Sequence, residues 1–221
     1  MLDNLKRIYL FAGHYGSGKT NIAVNFALRL HAEGKAVKIA DLDVVNPYFR
    51  TKDSAAELAA AGIELISPAY ANSNVDLPAL PQEIYGLVQN HSFCAIMDIG
   101  GDERGALALG RYRPYILEEN NYEMVFVANF FRPLTRTAEE AMEVMREIEQ
   151  AGGIAFSAIV HNSNLGAETT AEDVKSAAAQ VERLCALTGL PLLFTSVKED
   201  LAPAFAGQEI LPLHLQKKII D

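Results

Sequence analysis

Short apolar runs alternate with longer amphipathic stretches along most of the chain. The runs are too short for helices and are rich in Val, Ile, Leu and Phe, a pattern typical of parallel strands covered on both faces. The predicted strands are 8–12, 36–40, 63–66, 93–97, 124–128, 154–160 and 192–194. The predicted helices are 20–33, 54–61, 80–90, 138–151 and 171–187. This alternation predicts an α/β fold with a mostly parallel central sheet between two layers of helices.

Length and composition predict a single domain that spans residues 1–221. Half of the residues are apolar and 21% are charged, which is enough apolar material for a full core. The irregular segment 67–81 contains several prolines, and we interpret it as a surface excursion because the α/β alternation resumes after it. The whole chain is therefore expected to form one domain.

Charge and cysteine usage narrow the classes of function. The chain carries 28 Asp and Glu against 19 Lys and Arg, a formal charge of −9, which argues against general nucleic-acid binding. Cys94 and Cys185 are far apart in sequence and form no metal-binding motif, as expected in a reducing compartment. No apolar run approaches the roughly 18 residues of a membrane span, and no signal peptide precedes the first strand. We expect a cytoplasmic protein without stable membrane association.

The most specific motif is a phosphate loop. The segment Gly13-His-Tyr-Gly-Ser-Gly-Lys-Thr20 matches G-x-x-x-x-G-K-[ST] and stands between a predicted strand and a predicted helix. Its glycines allow the backbone N–H groups to point at phosphate oxygens, and the helix N-terminus adds partial positive charge. Lys19 is expected to reach the β- and γ-phosphates, and the Thr20 hydroxyl to bind Mg²⁺. The predicted nucleotide-binding residues of this loop are Gly13, Gly16, Ser17, Gly18, Lys19 and Thr20.

Acidic residues follow two of the predicted strands. Asp41 and Asp43 end the second strand, and Asp98 ends the strand 93–97. An Asp-x-Asp after a strand is also common in turns and helix caps, but beside a phosphate loop these carboxylates are expected to face Mg²⁺ and the γ-phosphate. Gly100 or Gly101 could donate a backbone N–H to the γ-phosphate. The sequence therefore predicts a nucleotide site with Asp41 and Asp98 near the metal.

Together, the phosphate loop, Asp41-Leu-Asp43 and Asp98-Ile-Gly-Gly101 resemble the ParA/MinD/Mrp-like ATPases of the P-loop class. The resemblance implies the three-layer P-loop NTPase fold, with ATP and Mg²⁺ as ligands. It also implies that Asp43 positions the attacking water, while Asp41 and Asp98 serve the Mg²⁺ shell. Asn162 is the candidate adenine contact. The segment 194–200 is similar to the loop that closes over the base, with Val197 where that loop usually has proline.

The sequence departs from this group at the position of a signature lysine, and it lacks the cluster cysteines of the related nitrogenase iron protein. Many of these ATPases carry a signature lysine after the first glycine of the loop, which reaches the ATP of a second subunit, and here that position is His14. Arg50 and Arg104 either supply the missing positive charge or form surface ion pairs. The resemblance still implies an ATP-favoured homodimer, now without the activating lysine.

These features predict a Mg²⁺-dependent ATP-binding protein with slow ATPase activity, which acts as a nucleotide switch on an unidentified protein partner. The alternatives are a small-molecule kinase or ATP-dependent ligase of the dethiobiotin-synthetase type, and a non-hydrolysing nucleotide-binding regulator. ATP is preferred to GTP in this interpretation because no N-K-x-D or T-K-x-D motif is suitably placed. The amphipathic tail 210–220 is similar to the membrane-targeting tail of MinD, but Pro212 interrupts it, and docking on the protein's own core or on a partner is favoured.

Overall fold

A computed structural model describes residues 5–43, 51–67, 82–101 and 103–215, with only the backbone described at 52, 53, 103 and 104. The strands are β1 Ile8–Ala12, β2 Val37–Leu42, β3 Glu64–Ile66, β4 Cys94–Ile99, β5 Tyr122–Ala128, β6 Ala158–His161, β7 Leu192–Lys198 and β8 Ile210–Leu213. The helices are α1 Lys19–Ala32, α2 Ala55–Ala60, α3 Glu83–Gln89, α4 Glu103–Leu109, α5 Arg113–Glu119, α6 Ala138–Gly152, α7 Ala171–Ser176 and α8 Ala178–Thr188. The predicted α/β alternation is confirmed.

The strands form one eight-stranded sheet in the order β3-β2-β4-β1-β5-β6-β7-β8. Every pairing between these strands is parallel. The carboxyl ends of the strands therefore meet at one edge of the sheet, where ligands bind in open α/β folds. This edge brings the phosphate loop after β1 next to the ends of β2, β4, β5 and β6.

Both faces of the sheet are covered, as the apolar strands predict. Along β1, Ile8, Leu10 and Ala12 belong to one buried cluster, while Tyr9 and Phe11 belong to the other. The first cluster packs against α3 to α6 and α8, and the second against α1 and α2. Successive side chains of a strand point to opposite faces of the sheet, which explains this alternation. With helices packed on both faces, the structure has the three-layer arrangement of the P-loop NTPase fold.

The structure differs from the predicted elements in several places. The stretch 103–119, which received no helix in the sequence analysis, forms α4 and α5. The predicted helix 171–187 is broken at Ala177 into α7 and α8. The predicted strand 154–160 is shorter, because β6 runs only from Ala158 to His161. Residues 80 and 81 of the predicted helix 80–90 lie outside the described residues.

The described part of the C-terminal tail docks on the core of the protein. Ile210–Leu213 forms the edge strand β8, paired with β7, and buries Leu211 and Leu213. Pro212 is compatible with this position because one side of an edge strand has no partner for its N–H groups. His214 then exchanges two hydrogen bonds with Asn25 of α1, at 2.8 and 3.1 Å. The predicted docking of the tail on the core is confirmed for this segment.

Candidate functional site

The phosphate loop connects the buried strand β1 to the N-terminus of α1. Gly18 precedes α1 with a φ of 88°, a left-handed conformation that strongly favours glycine. A Cβ at Gly18 would also lie 2.3 Å from Asn162 Nδ2, so this position requires glycine for space as well. Lys19 and Thr20 open the helix and are buried. The sequence pattern thus folds into the strand–loop–helix geometry that phosphate binding requires.

Gly101 packs directly against this loop. A Cβ at Gly101 would lie 2.7 Å from the Gly13 carbonyl oxygen and 2.9 Å from the Tyr15 nitrogen. Such close backbone approach is possible only without a side chain. The segment after β4 is therefore held beside the phosphate loop, and the γ-phosphate contact assigned to Gly101 stays a prediction.

Lys19 forms a buried ion pair with Asp43. Its Nζ lies 2.8 Å from Asp43 Oδ2, and the two side chains are only 4% and 6% exposed. Burial acts to lower the pKa of Lys19, but the charges of Asp98 and Asp43 outweigh that effect and raise the pKa above its ordinary value. Lys19 is therefore held protonated, ready to interact with an anion.

Asp41 and Asp98 are direct neighbours on β2 and β4. Their Cα atoms are paired in the sheet register, and both side chains are buried on the α1 side. Burial, together with the charge of Asp98, raises the pKa of Asp41 to about 8. Burial also raises the pKa of Asp98 to about 6, against the lowering effect of the Lys19 charge. When fully ionised, Asp41, Asp43 and Asp98 carry three negative charges against the one positive charge of Lys19. The cluster then has a net negative charge.

The oxygen atoms around Asp98 fit a Mg²⁺ site. Asp98 Oδ2 accepts a hydrogen bond of 2.9 Å from Thr51 Oγ1, and the Thr20 hydroxyl also bonds to Asp98. Asp98 Oδ1 is buried and has no hydrogen-bond partner among the described residues. No group of three or more metal-ligating His, Cys, Asp or Glu side chains occurs in the described part of the chain. Mg²⁺ typically takes one or two carboxylates and completes its shell with phosphate oxygens and water, so Thr20, Asp41 and Asp98 suit it.

Asn162 connects the end of β6 to the phosphate loop. Its Nδ2 donates to the Ser17 carbonyl oxygen at 2.7 Å, and its Oδ1 accepts from Ser196 Oγ at 2.5 Å. An amide side chain has two donors and two acceptor sites, so one of each remains for a ligand. The structure thus gives Asn162 a bracing contact that sequence reasoning missed, and its adenine contact stays a prediction.

A cavity of about 720 Å³ lies beside the phosphate loop. The large apolar side chains of its lining are Val174, Val197, Leu213 and Leu215. The charged residues of its lining are Lys19, Arg132 and Lys198, and the lining includes no Asp or Glu among the described residues. The volume is in the range of cavities that bind small molecules, and the charges favour an anion.

Several predicted residues lie outside the described part of the structure. Arg50 and the segment 44–50 are among them, as are residues 68–81 and 216–221 and the side chain of Arg104. Two described residues were missed by the sequence analysis: Thr51, which bonds to Asp98, and Arg132, which contacts the phosphate loop. Arg132 follows β5, so the rule that sites form at strand ends could have found it.

His14, at the position of the signature lysine, is partly exposed. Its Nδ1 lies 2.9 Å from the Tyr15 carbonyl oxygen, so the ring is held against its own loop. Cys94 and Cys185 are free cysteines. None of the helices in the described ranges is long and apolar enough to cross a bilayer.

The chain is similar to known proteins in structure but not in sequence. No protein-family model matches the chain, and no curated protein matches its sequence. Solved structures of FtsY are similar to it. FtsY from Mycoplasma mycoides aligns with a TM-score of 0.59 at 16% identity, over 89% of this chain and 61% of that one. Chloroplast FtsY from Physcomitrella patens aligns with a TM-score of 0.59 at 19% identity, over 90% of this chain and 61% of that one.

A third match is the signal recognition particle receptor FtsY from Elizabethkingia anophelis in complex with GDP. It aligns with a TM-score of 0.51 at 13% identity, over 87% of this chain and 57% of that one. The chain thus spans about three fifths of the length of these structures. At such low identity the likeness concerns the fold alone, so membership of the ParA/MinD/Mrp-like group stays a hypothesis. The fold of the chain is that of the P-loop NTPases.

Proposed function

We propose that the protein binds ATP with Mg²⁺, hydrolyses it slowly, and acts as a nucleotide switch on a protein partner. The observation that carries the proposal is the cavity beside the phosphate loop, whose described lining includes apolar side chains and whose charged lining residues are all basic. The chain as a whole has a formal charge of −9, so the basic character of the charged residues around this cavity differs from that of the whole molecule. A nucleotide matches this cavity because its phosphates are anionic and its base is flat and largely apolar at its faces.

We infer the preferred base from the absence of a carboxylate among the described lining residues of the cavity. Guanine presents N–H donors on its pairing edge, and GTP-binding proteins meet these donors with a carboxylate, whereas the described lining of this cavity contains none. Asn162 retains one donor and one acceptor, which suits the N6 amine and ring nitrogen of adenine. ATP is therefore the preferred nucleotide in this proposal, although a similar structure, the FtsY of Elizabethkingia anophelis, is a complex with GDP.

The ion pair of Lys19 suggests how binding prepares hydrolysis. Lys19 contacts Asp43 at 2.8 Å, so a phosphate that binds Lys19 competes with that carboxylate. Lys19 then stabilises charge on the transferring phosphoryl group, and the released Asp43 can hold and orient a water molecule. Bound Mg²⁺ would neutralise charge on the phosphate oxygens, with Thr20, Asp41 and Asp98 as its protein ligands. Positioning and electrostatics account for most catalysis in phosphoryl transfer.

The switch function rests on the segments beside the γ-phosphate position. Gly101 packs on the phosphate loop and is followed by α4, so a change in nucleotide state could be passed to that helix. The ATP-favoured homodimer remains part of the proposal.

The proposal is tested by phosphate release from MgATP and MgGTP at equal concentration, with a chelator as control. We expect slow release from ATP, slower release from GTP and none when Mg²⁺ is removed. Binding without release would favour a non-hydrolysing regulator, and strong stimulation by a small acid or alcohol would favour a small-molecule kinase. Either result would contradict the switch ATPase proposed here.

A further inference from the structure

Arg132 touches the phosphate loop from the segment that follows β5. Its Nε donates a hydrogen bond of 2.8 Å to the Gly16 carbonyl oxygen, and its Nη1 donates to the Phe131 carbonyl oxygen at 3.4 Å. A guanidinium carries five N–H donors, so three of them have no partner within the described part of the chain. The side chain is half-buried and lines the cavity described above. Arg132 therefore presents unused donors at the phosphate end of the cavity.

The three basic residues of the cavity differ in their partners. Lys19 is paired with Asp43 at 2.8 Å, and Lys198 lies 3.4 Å from Asp200. Arg132 has no carboxylate partner among the residues that the structure describes. An anion that enters the cavity displaces no existing ion pair when it contacts Arg132. Its charge is consequently the one most readily available to a ligand.

The backbone around Arg132 is held in place. Thr135 Oγ1 donates to the Asn129 carbonyl oxygen at 2.7 Å, and Asn129 Oδ1 accepts from the Phe131 nitrogen at 3.1 Å. The Phe130 nitrogen donates to Ser163 Oγ at 3.1 Å, which ties the segment to the residues after β6. A binding residue on a fixed segment loses less conformational freedom when its ligand arrives. The segment thus pre-organises Arg132 beside Gly16.

We propose that Arg132 binds the polyphosphate chain of the nucleotide, in addition to bracing Gly16. This inference rests on the proposed function, since it names a further ligand contact of the same site. Arginine suits the role because its planar fork matches phosphate oxygens, and its hydrogen bonds to them are charge-assisted. The contact supplies, from within the same chain, a positive charge beside the phosphate loop.

The test compares calorimetric binding of MgATP and of adenosine to wild type, R132Q, R132K and the neighbouring control R136A. The glutamine introduced in R132Q keeps a neutral donor that could still bond to Gly16, whereas the lysine introduced in R132K keeps the charge. We expect R132Q to weaken MgATP binding roughly tenfold or more, R132K to weaken it less, and R136A to stay within about twofold. Adenosine binding should be unchanged in all variants, and higher salt should reduce MgATP binding less in R132Q than in wild type.

MgATP binding by R132Q within about twofold of wild type would overturn the inference and leave the proposed function intact. An equal loss of MgATP and adenosine binding in R132Q would also overturn it, because Arg132 would then only brace the loop. Absence of MgATP binding in wild type would instead contradict the proposed function, and the inference with it. Thermal melting of each ligand-free variant verifies that all of them fold.

Discussion

Lys19 Nζ lies 2.8 Å from Asp43 Oδ2 in a nearly fully buried ion pair. Separate roles are predicted for these two residues, one on the phosphates and one on water, but in the structure the charge of each neutralises that of the other. A buried pair is costly to break unless a new partner replaces the lost one, and a phosphate oxygen is such a partner for Lys19. Nucleotide binding and release of Asp43 are therefore expected to be linked.

Asp43→Asn separates these two functions. The amide removes the competing charge from Lys19, so MgATP should bind within a few-fold of wild type or more tightly. The variant cannot hold and activate water equally well, and we expect its single-turnover hydrolysis to fall by about 10²-fold or more. Rapid-quench measurement of both proteins gives the comparison, and equal rates would contradict the role assigned to Asp43.

Asn162→Ala tests the brace between β6 and the phosphate loop. The substitution removes the bonds to the Ser17 carbonyl oxygen and to Ser196, so we expect pyrophosphate binding to weaken by about tenfold. Asn164→Ala is the matched control, because Asn164 lines the same cavity but its side chain bonds, among the described residues, only to the backbone of Asn162 and Gly166. Loss of ATP binding with pyrophosphate binding unchanged would mean that Asn162 acts on adenine alone.

The raised pKa of Asp41 predicts a stability that depends on pH. In the unfolded chain this carboxyl loses its proton near pH 3.8, whereas burial and the charge of Asp98 raise its pKa to about 8 in the folded protein. Between these values the folded state binds more protons, so this group's contribution to stability is present at low pH and is lost as pH rises toward 8. Metal binding should correspondingly strengthen as pH rises, because the ligand must be deprotonated.

Asp41→Asn should remove this dependence. Without Mg²⁺ at pH 8, we expect the variant to be more stable than wild type by roughly 1 kcal/mol or more, because it removes a buried charge beside Asp98. At pH 4 the two proteins should unfold at the same urea concentration. Glu147→Gln, on the exposed face of α6, is the control for a neutralised acid that is not buried. A wild-type protein that is as stable as Asp41→Asn at pH 8 would contradict the assigned cause.

The ATP-favoured homodimer can be tested with the slowly hydrolysing variant. We expect light scattering of Asp43→Asn at tens of micromolar to give a higher mass with MgATP than with MgADP. The missing signature lysine at His14 predicts slow basal turnover even in that dimer. A monomer mass in both nucleotides would remove the dimer from the mechanism and leave a monomeric switch.

The sequence predicted the phosphate loop and its acids because their chemistry is local. The segment from Gly13 to Thr20 contains the glycines of a turn and the start of a helix, and a short apolar run precedes it. Asp41 and Asp98 likewise end short apolar runs that are typical of buried strands. Because the strands are parallel, their carboxyl ends lie at the same edge of the sheet. Asp41 and Asp98 are paired there because β2 and β4 are neighbouring strands. This part of the site needed no long-range information.

Other features depend on contacts between distant segments. Ile210–Leu213 is short and contains proline, so its strand character arises only from pairing with β7. The position of Arg132 after a strand could be predicted from the sequence, but its contact with Gly16, 116 residues away, arises only in the folded chain. The bond from Thr51 to Asp98 likewise joins two elements through the fold. Tertiary contacts of this kind need a structure.

Calorimetric titration of MgATP into wild type and Lys19→Ala tests the central claim most directly. The account predicts measurable binding to wild type, weaker binding of MgGTP, and a loss of at least tenfold in Lys19→Ala, because a charge-assisted contact to the phosphates disappears. Lys35→Ala, an exposed lysine beyond the end of α1, should bind like wild type. If Lys19→Ala binds MgATP as tightly as wild type does, the cavity beside the phosphate loop is not the nucleotide site.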